Sequence, residues 1–150
     1  MQEFNLDPEI SAFIDDYIAV ASLSTATSVA RQRIDYAALV RHFSYPHPAG
    51  ITTRDEAIEG RHGWIPLRHY RYQQGNSSTL LMFIHGGGFI LGSLDSHDDI
   101  CAELCANTGF DLVSVDYRLS PEYFHPTHLD DVEDAFTACR HERTILVGRR

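Results

Sequence analysis

The 150-residue sequence has the composition of an acidic globular domain, and this excludes several classes of protein. Its 21 acidic residues outnumber 12 basic ones, and the net charge of -9 disfavours binding to nucleic acids and to anionic membrane surfaces. No apolar run approaches the roughly 20 residues of a membrane span, and the start lacks the features of a signal peptide. With three cysteines in such a chain, the sequence predicts a cytoplasmic protein with reduced thiols.

The first part of the sequence predicts two amphipathic helices. Asp7 is placed to cap the first helix and Pro8 to open it. Apolar residues then recur at helical spacing, namely Ile10, Phe13, Ile14, Tyr17, Ile18 and Ala21. A second amphipathic segment runs from about Arg31 to Phe43. Because these helices lie outside the strand pattern that follows, we expect them to form a small flap over the ligand end of a sheet.

The rest of the sequence alternates between strands and helices. Two strands, Ile51–Gly60 and Ile65–Tyr72, are predicted to form a hairpin. The later elements, in chain order, are a strand at 81–84, a helix at Ser96–Thr108, a strand at Phe110–Asp116, a helix from Pro126 and a buried strand at Thr144–Val147. A strand–helix–strand order predicts parallel strands with crossover helices. The predicted fold class is therefore α/β, with an antiparallel hairpin leading into a mostly parallel sheet.

The two helices between these strands carry distinct signals. Ser96 is a candidate N-cap with Asp99 three residues on, as in a capping box, and Gly109 is placed to end the first helix. In the second helix the predicted core-facing stripe is Leu129, Val132, Phe136 and Cys139. Its acidic residues are predicted to form a solvated face that favours the positive end of the helix dipole, namely Asp130, Asp131, Glu133 and Asp134.

The strand at 81–84 ends abruptly in His85 and three glycines, Gly86 to Gly88. Adjacent glycines give up side-chain packing and raise the entropy cost of ordering the backbone, so such a loop suits a place where the backbone approaches a ligand. Phosphate-binding spacings do not fit, because Leu91 stands where G-x-G-x-x-G needs its third glycine and a Walker loop needs a lysine. Two interpretations remain: a loop whose amides face a developing oxyanion, and a glycine-rich turn without chemistry.

Two motifs, in the right order and spacing, resemble those of the bacterial hormone-sensitive-lipase-type carboxylesterases. The first is His85-Gly86-Gly87-Gly88-Phe89, and the second runs from Val115 to Glu122 as VDYRLSPE. The run from Gly86 to Asp98 is most similar to the acetyl esterase branch. The resemblance extends from about Tyr36 to Val147 and implies one partial α/β-hydrolase domain over residues 1–150. Within it, residues 1–48 correspond to a helical cap and residues 49–150 to the first strands and helices of the sheet.

The resemblance also implies a role for each residue of the glycine loop. Gly87 and Gly88 correspond to the donors of the oxyanion-hole N–H groups, while His85 and Gly86 shape the loop and His85 is not the general base. The segment from Tyr117 to Glu122 is expected to be a scaffold turn beside the site, in which Arg118 pairs with a nearby acid. It could equally be an ordinary Ser-Pro turn. The implied substrate is a small ester with a short acyl chain, hydrolysed by serine acyl transfer without a cofactor.

The catalytic serine of that family has no counterpart in these 150 residues. In the family, Ile-Leu-Val-Gly leads into the G-x-S-x-G nucleophile elbow, whereas here Ile145–Gly148 is followed by Arg149 and Arg150. Arg150 stands where the serine is expected, and the later Asp and His have no position. We therefore expect a chain truncated before its nucleophile and inactive alone, with residues 145–147 as an exposed apolar edge. The alternative is a non-catalytic module that binds an acyl group or a partner protein.

Other candidate sites in the sequence are weaker. Cys101, Cys105 and Cys139 fall on the predicted helices and are expected to be small buried hydrophobic residues. His125 and His128 lie near acidic residues, but a proline separates them and a third clustered ligand is missing. The sequence therefore predicts neither a metal site nor a cofactor, and it does not indicate an oligomeric state.

Overall fold

The computed structural model describes residues 6–21, 27–75, 78–140 and 143–148, and the chain divides into two compact units, Met1–Phe43 and Ser44–Arg150. The expectations for Arg149 and Arg150 lie outside the described residues. Among the residues that are described, no helix combines the length and apolar character needed to cross a membrane.

The first unit contains two helices, α1 (Pro8–Ala21) and α2 (Val29–Phe43). The predicted cap of α1 is confirmed, because the N–H of Glu9 donates to the Asp7 carboxylate at 2.8 Å. The α2 helix begins two residues earlier than predicted, where the Ser28 hydroxyl oxygen accepts the N–H of Arg31 at 3.3 Å. Aromatic rings join the two helices, with the Phe13 and Phe43 centroids 5.2 Å apart.

The second unit is built on a five-stranded sheet with the order β1-β2-β4-β3-β5. The strands are β1 (Ile51–Gly60), β2 (Gly63–Tyr72), β3 (Thr79–Ile84), β4 (Asp111–Val115) and β5 (Arg143–Gly148). The β1–β2 hairpin continues antiparallel onto β4, whereas β3 is parallel to both β4 and β5. The predicted α/β class, with a hairpin that leads into parallel strands, is confirmed.

Helices cover both faces of this sheet, which explains why β3 is an almost continuous apolar run. Leu80 and Met82 face the core on the side of helix α4 (Thr127–Cys139). Leu81 and Phe83 face the opposite core, where helix α3 (Asp98–Thr108) packs. The sheet is therefore held between two apolar layers, and its strand ends are fixed for use as a scaffold.

The N-terminus of α3 differs from the prediction. The helix begins at Asp98, after a 3-10 turn at Asp95–His97, and Ser96 does not cap it. Ser96 instead pairs with Ser93, since each backbone N–H donates to the hydroxyl oxygen of the other residue, at 2.8 and 3.2 Å. The reciprocal capping pattern is thus present three residues earlier than predicted. The predicted end is confirmed, because Gly109 adopts φ 68° and donates its N–H to the Cys105 carbonyl.

The α4 helix also faces the core differently from the prediction. Leu129, assigned to the buried stripe, is 50% exposed, whereas Asp131, assigned to the solvated face, is 0% exposed. The cause is an ion pair, because Asp131 accepts hydrogen bonds from the backbone and the guanidinium of Arg118. The other acids of the predicted face, Asp130, Glu133 and Asp134, bind the Arg61 side chain at the β1–β2 turn.

The last described strand, β5, pairs within the described residues with β3 alone. Ile145 and Leu146 are 47% and 54% exposed. The strand assignment is confirmed. Ile145 and Leu146 are exposed as expected, whereas Val147 is half-buried and packs against the core on the α3 side of the sheet.

Acid is expected to destabilise the second unit below about pH 4. Hydrogen bonds from Arg68 lower the pKa of Asp55, and bonds from the Arg61 backbone and side chain lower that of Asp134. A carboxyl group whose pKa is lower in the folded state stabilises the fold above its unfolded pKa of about 3.9. That contribution is lost as the pH falls through the folded pKa. Circular-dichroism melting should show Tm falling in this window.

The variant Arg68→Gln serves as the control for this effect. It removes the guanidinium that bonds Asp55, Asp95 and Asp98, so its Tm should be lower near neutral pH and should fall less steeply in acid. A Tm that stays constant through this window in the unmodified chain would contradict the prediction.

Candidate active site

The glycine loop, residues 85–92, begins directly after β3 at the carboxyl edge of the parallel strands. Ile84, the last residue of β3, is the register partner of Gly148, the last residue of β5. Ligands of open α/β sheets bind outside the carboxyl ends of their strands. The loop that the sequence singled out therefore lies at the edge of the sheet where a ligand site is expected.

The backbone of the loop requires glycine at its turn. Gly87 adopts φ 125°, and an added Cβ there would overlap the Leu91 carbonyl. That carbonyl is close because the N–H groups of Ile90 and Leu91 both donate to the Gly87 oxygen, at 3.1 and 2.9 Å. Gly88 has φ 61°, but an added Cβ would meet no atom within 4 Å. The turn is thus closed around Gly87 and open at Gly88.

The N–H groups of Gly87 and Gly88 donate no hydrogen bond within the described part of the chain. Gly88 is exposed and Gly87 is half-buried, so neither residue lies in the closed core. Adjacent backbone donors that have no acceptor among the described residues are the groups from which anion-binding sites are built.

The imidazole of His85 is buried beneath the loop, with 2% of the residue exposed. Its Nδ1 donates to the Gly86 carbonyl at 2.9 Å, and Nε2 has no partner among the described residues. Burial lowers the pKa of His85, against a smaller opposing effect of that hydrogen bond, which favours the neutral ring. Gly92 packs on the ring so closely that an added Cβ would overlap Nδ1. His85 is therefore a structural part of the loop.

Tyr117, in the segment after β4, is the closest support of His85. Its hydroxyl donates to the His85 carbonyl at 2.7 Å. The two rings stack with centroids 4.3 Å apart and planes at 15°, while His97 lies on the same imidazole at 5.6 Å. Sequence reasoning placed Tyr117 in a scaffold segment but missed its contacts with His85, and it missed His97 altogether, because neither residue lies close to His85 in the chain.

The segment after Tyr117 connects the loop to α4. The N–H of Ser120 donates to the Phe89 carbonyl at 2.8 Å. Arg118 pairs with buried Asp131 and also donates to the carbonyls of His62 and Trp64, at 2.7 and 3.3 Å. The expectation that Arg118 pairs with an acid is confirmed, and the segment supports the glycine loop rather than forming an isolated turn.

The thiols do not offer a substitute nucleophile. Cys101 and Cys105 are buried on α3, and burial raises their pKa values to about 12 and about 11. Burial also raises the pKa of Cys139, which is only partly buried. A thiol becomes nucleophilic as the thiolate, so the raised pKa values disfavour a nucleophilic role for these groups at neutral pH. Their interpretation as small hydrophobic residues is confirmed for Cys101 and Cys105.

The His125–His128 region does not assemble a metal centre. The two rings lie 5.5 Å apart, and within the described residues no three His, Cys, Asp or Glu side chains converge on one point. His128 is buried and packs on Phe89, with ring centroids 4.4 Å apart.

A separate cavity of about 550 Å³ lies at the opposite end of β3 and β4 from the loop. Its lining includes Arg54, His69, Leu80, Asp111 and Cys139. The cavity therefore does not include the amides of the glycine loop.

Comparison with known proteins agrees with this arrangement. Residues 81–147 match the family described as having the alpha/beta hydrolase fold. The chain is 43% identical over 86 residues to the carboxylic ester hydrolase LipN of Mycobacterium tuberculosis, which covers 57% of this chain and 23% of that protein. It is 38% identical over 96 residues to an acetyl esterase of Salmonella schwarzengrund, which covers 64% of this chain and 29% of that protein.

A solved structure extends the similarity to nearly all of the chain. The hyperthermophilic esterase from the archaeon Pyrobaculum calidifontis has a TM-score of 0.82 at 28% identity, over 97% of this chain and 50% of that one. The chain thus spans about a quarter of the length of the relatives above and half of that structure. By its sheet, its two motifs and these similarities, the chain has part of the α/β-hydrolase fold and is similar to carboxylic ester hydrolases of the hormone-sensitive-lipase type.

Proposed function

We propose that this chain supplies the oxyanion-binding half of a carboxylic ester hydrolase. Gly87 and Gly88 would donate their N–H groups to the carbonyl oxygen of an ester as negative charge develops on it. The observation that supports this role is the pair of adjacent N–H groups that have no acceptor in the described part of the chain. A preorganised donor of this kind stabilises the transition state by about 3 to 4 kcal/mol.

In this proposal His85 and Gly86 shape the loop and do not transfer protons. The Nε2 atom of His85 is buried and has no hydrogen-bond partner among the described residues, and burial favours the neutral ring. These properties fit a structural residue better than a general base, which must reach the substrate. The serine, its base and the orienting acid belong to the complete acyl-transfer mechanism, and the G-x-S-x-G pattern does not occur in these 150 residues.

The proposed substrate is a small ester with a short acyl chain. Support comes from the likeness of the Gly86–Asp98 run to the acetyl esterases, and a protein of that name is 38% identical to this chain. The proposal involves no cofactor, nucleic acid or membrane. It places the protein in the cytoplasm, since Cys101, Cys105 and Cys139 are free thiols.

The test joins residues 1–148 in frame to the second half of an acetyl esterase, starting at the residue that follows the first glycine of its nucleophile elbow, because Gly148 already occupies that glycine position. The fused protein should hydrolyse p-nitrophenyl acetate with saturable kinetics, and replacement of the elbow serine by alanine should abolish this turnover. The 150-residue chain alone should give the rate of buffer.

Two results would contradict the proposal. One is a fused protein that folds, as judged by circular dichroism, but does not turn over the ester. The other is saturable hydrolysis by the 150-residue chain alone that is lost when one of its serines or cysteines is blocked. A folded, inactive chain that co-elutes with an intact acetyl esterase would favour the alternative function as a binding module.

A further inference from the structure

The glycine loop needs an anchor outside itself. Residues 86–88 are all glycine, so their backbone has the largest conformational freedom to lose on ordering. The backbone–backbone hydrogen bonds inside the loop, from Ile90 and Leu91, both end on the Gly87 carbonyl. They fix the C-terminal side of the turn and leave the peptide between His85 and Gly86 to be held by other contacts.

Tyr117 makes those contacts from two directions. Its hydroxyl bonds to the carbonyl of His85 in a buried site, which fixes the orientation of the peptide that enters the glycines. Its ring covers the imidazole of the same residue in a near-parallel stack. Backbone and side chain of His85 are thus held by one residue, while the imidazole in turn bonds Gly86.

Tyr117 is itself held on both sides along the chain. The N–H of Asp116 donates to the Pro66 carbonyl at 3.0 Å, and the N–H of Arg118 donates to the Asp131 carboxylate at 2.9 Å. These bonds tie the backbone around Tyr117 to the end of β4, to β2 and to α4. The residue can therefore transmit the rigidity of the sheet and helix to the loop.

We propose that Tyr117 is the positioning residue of the glycine loop, holding His85 so that the backbone N–H groups of Gly87 and Gly88 keep fixed orientations. That these N–H groups bind an ester oxygen depends on the proposed function. That Tyr117 orients them depends only on the contacts described above. Burial raises the pKa of Tyr117 to about 12, so its hydroxyl remains a donor at neutral pH. Burial lowers the pKa of His85, so the stacked ring stays neutral.

The test follows backbone motion in the full 150-residue chain labelled with ¹⁵N-glycine, which gives ten amide signals. In the unmodified chain the order parameters of Gly87 and Gly88 should be close to the rigid value of about 0.85. Tyr117→Phe, which removes the hydroxyl alone, should lower both below about 0.6, the range of flexible backbone. The amide shifts of Gly86 to Gly88 should move as well.

Tyr70→Phe is the matched control. The Tyr70 hydroxyl is also buried and donates at 2.7 Å, but to Asp98 on the opposite face of the sheet. This variant should leave the order parameters of Gly87 and Gly88 unchanged. The proposal is overturned if Tyr117→Phe leaves the loop rigid, or if both variants loosen it equally, since the effect would then be a general loss of stability.

A second measurement applies if Tyr117→Phe does not fold. Replacing the seven tyrosines by 3-fluorotyrosine keeps the ring shape and makes each hydroxyl a stronger donor. The carbonyl ¹³C resonance of His85 should then move downfield, and an unchanged resonance would overturn the proposal. Neither measurement involves ester hydrolysis. An inactive fused protein would therefore count against the proposed function, whereas a rigid loop in Tyr117→Phe would count against the role of Tyr117.

Discussion

Replacing Asp131 by asparagine is expected to destabilise the second unit by about 3 to 5 kcal/mol, the range for removing one partner of a buried ion pair. Asp131 has no exposed surface, and the Arg118 guanidinium that it binds is itself largely buried. The substitution leaves a positive charge in a site with little water. Urea denaturation with linear extrapolation measures the change in the free energy of unfolding.

The adjacent residue provides a matched control. Asp130 also binds an arginine, Arg61, but this pair is partly solvated and Arg61 keeps Asp134 and Glu133 as partners. Asp130→Asn should therefore cost less than about 1 kcal/mol. A double variant, Arg118→Met with Asp131→Leu, should lose less stability than Asp131→Asn because no buried charge is left unpaired. Equal losses of stability in Asp131→Asn and Asp130→Asn would show that the buried ion pair contributes no more to stability than the partly solvated one.

Gly87→Ala is expected to lower kcat of the fused esterase by about 10²- to 10³-fold, the effect of losing one oxyanion-hole donor elsewhere. The new Cβ would overlap the Leu91 carbonyl at a backbone φ of 125°, so the peptide must turn and its N–H must change direction. Because the proposed role of that N–H is to stabilise the transition state, KM should change much less than kcat. Steady-state kinetics with p-nitrophenyl acetate separate the two constants.

Gly88→Ala separates two effects of replacing a loop glycine, the steric clash of the added Cβ and the strain of a positive φ. An added Cβ at this position meets no atom within 4 Å, so the backbone can stay in place at a strain of roughly 1 to 2 kcal/mol for the left-handed conformation. The loss of kcat should therefore be clearly smaller than for Gly87→Ala. Equal losses would argue against a direct role of the Gly87 geometry.

The fold was predictable because its signals are local. Period and composition located the hairpin at Ile51–Tyr72, the apolar strand before His85 and the helix that ends at Gly109. The order of these elements determined the class of the sheet. The glycine loop was identifiable for the same reason, because three adjacent glycines are a local signal of a backbone that approaches a ligand closely.

The remaining features depend on contacts between distant parts of the chain. A pattern of polar and apolar residues assigns an aspartate such as Asp131 to solvent, and Arg118 can overturn that assignment only once the segment after β4 lies against α4. Likewise, Tyr117 and His85 are separated by 32 positions and meet because β3 and β4 are neighbours in the sheet. Ser96 does not cap α3 because its hydroxyl and its N–H form hydrogen bonds with Ser93 instead.

Trp64 gives the contact between Arg118 and the β1–β2 hairpin a spectroscopic consequence. It is the single tryptophan of the sequence, it is 66% exposed, and its carbonyl accepts a hydrogen bond from the Arg118 guanidinium. An indole that already lies in water shifts its emission little when the chain unfolds. The emission of Trp64 will therefore report on contacts at this turn, including the one with Arg118. Unfolding of the sheet core will change that emission very little.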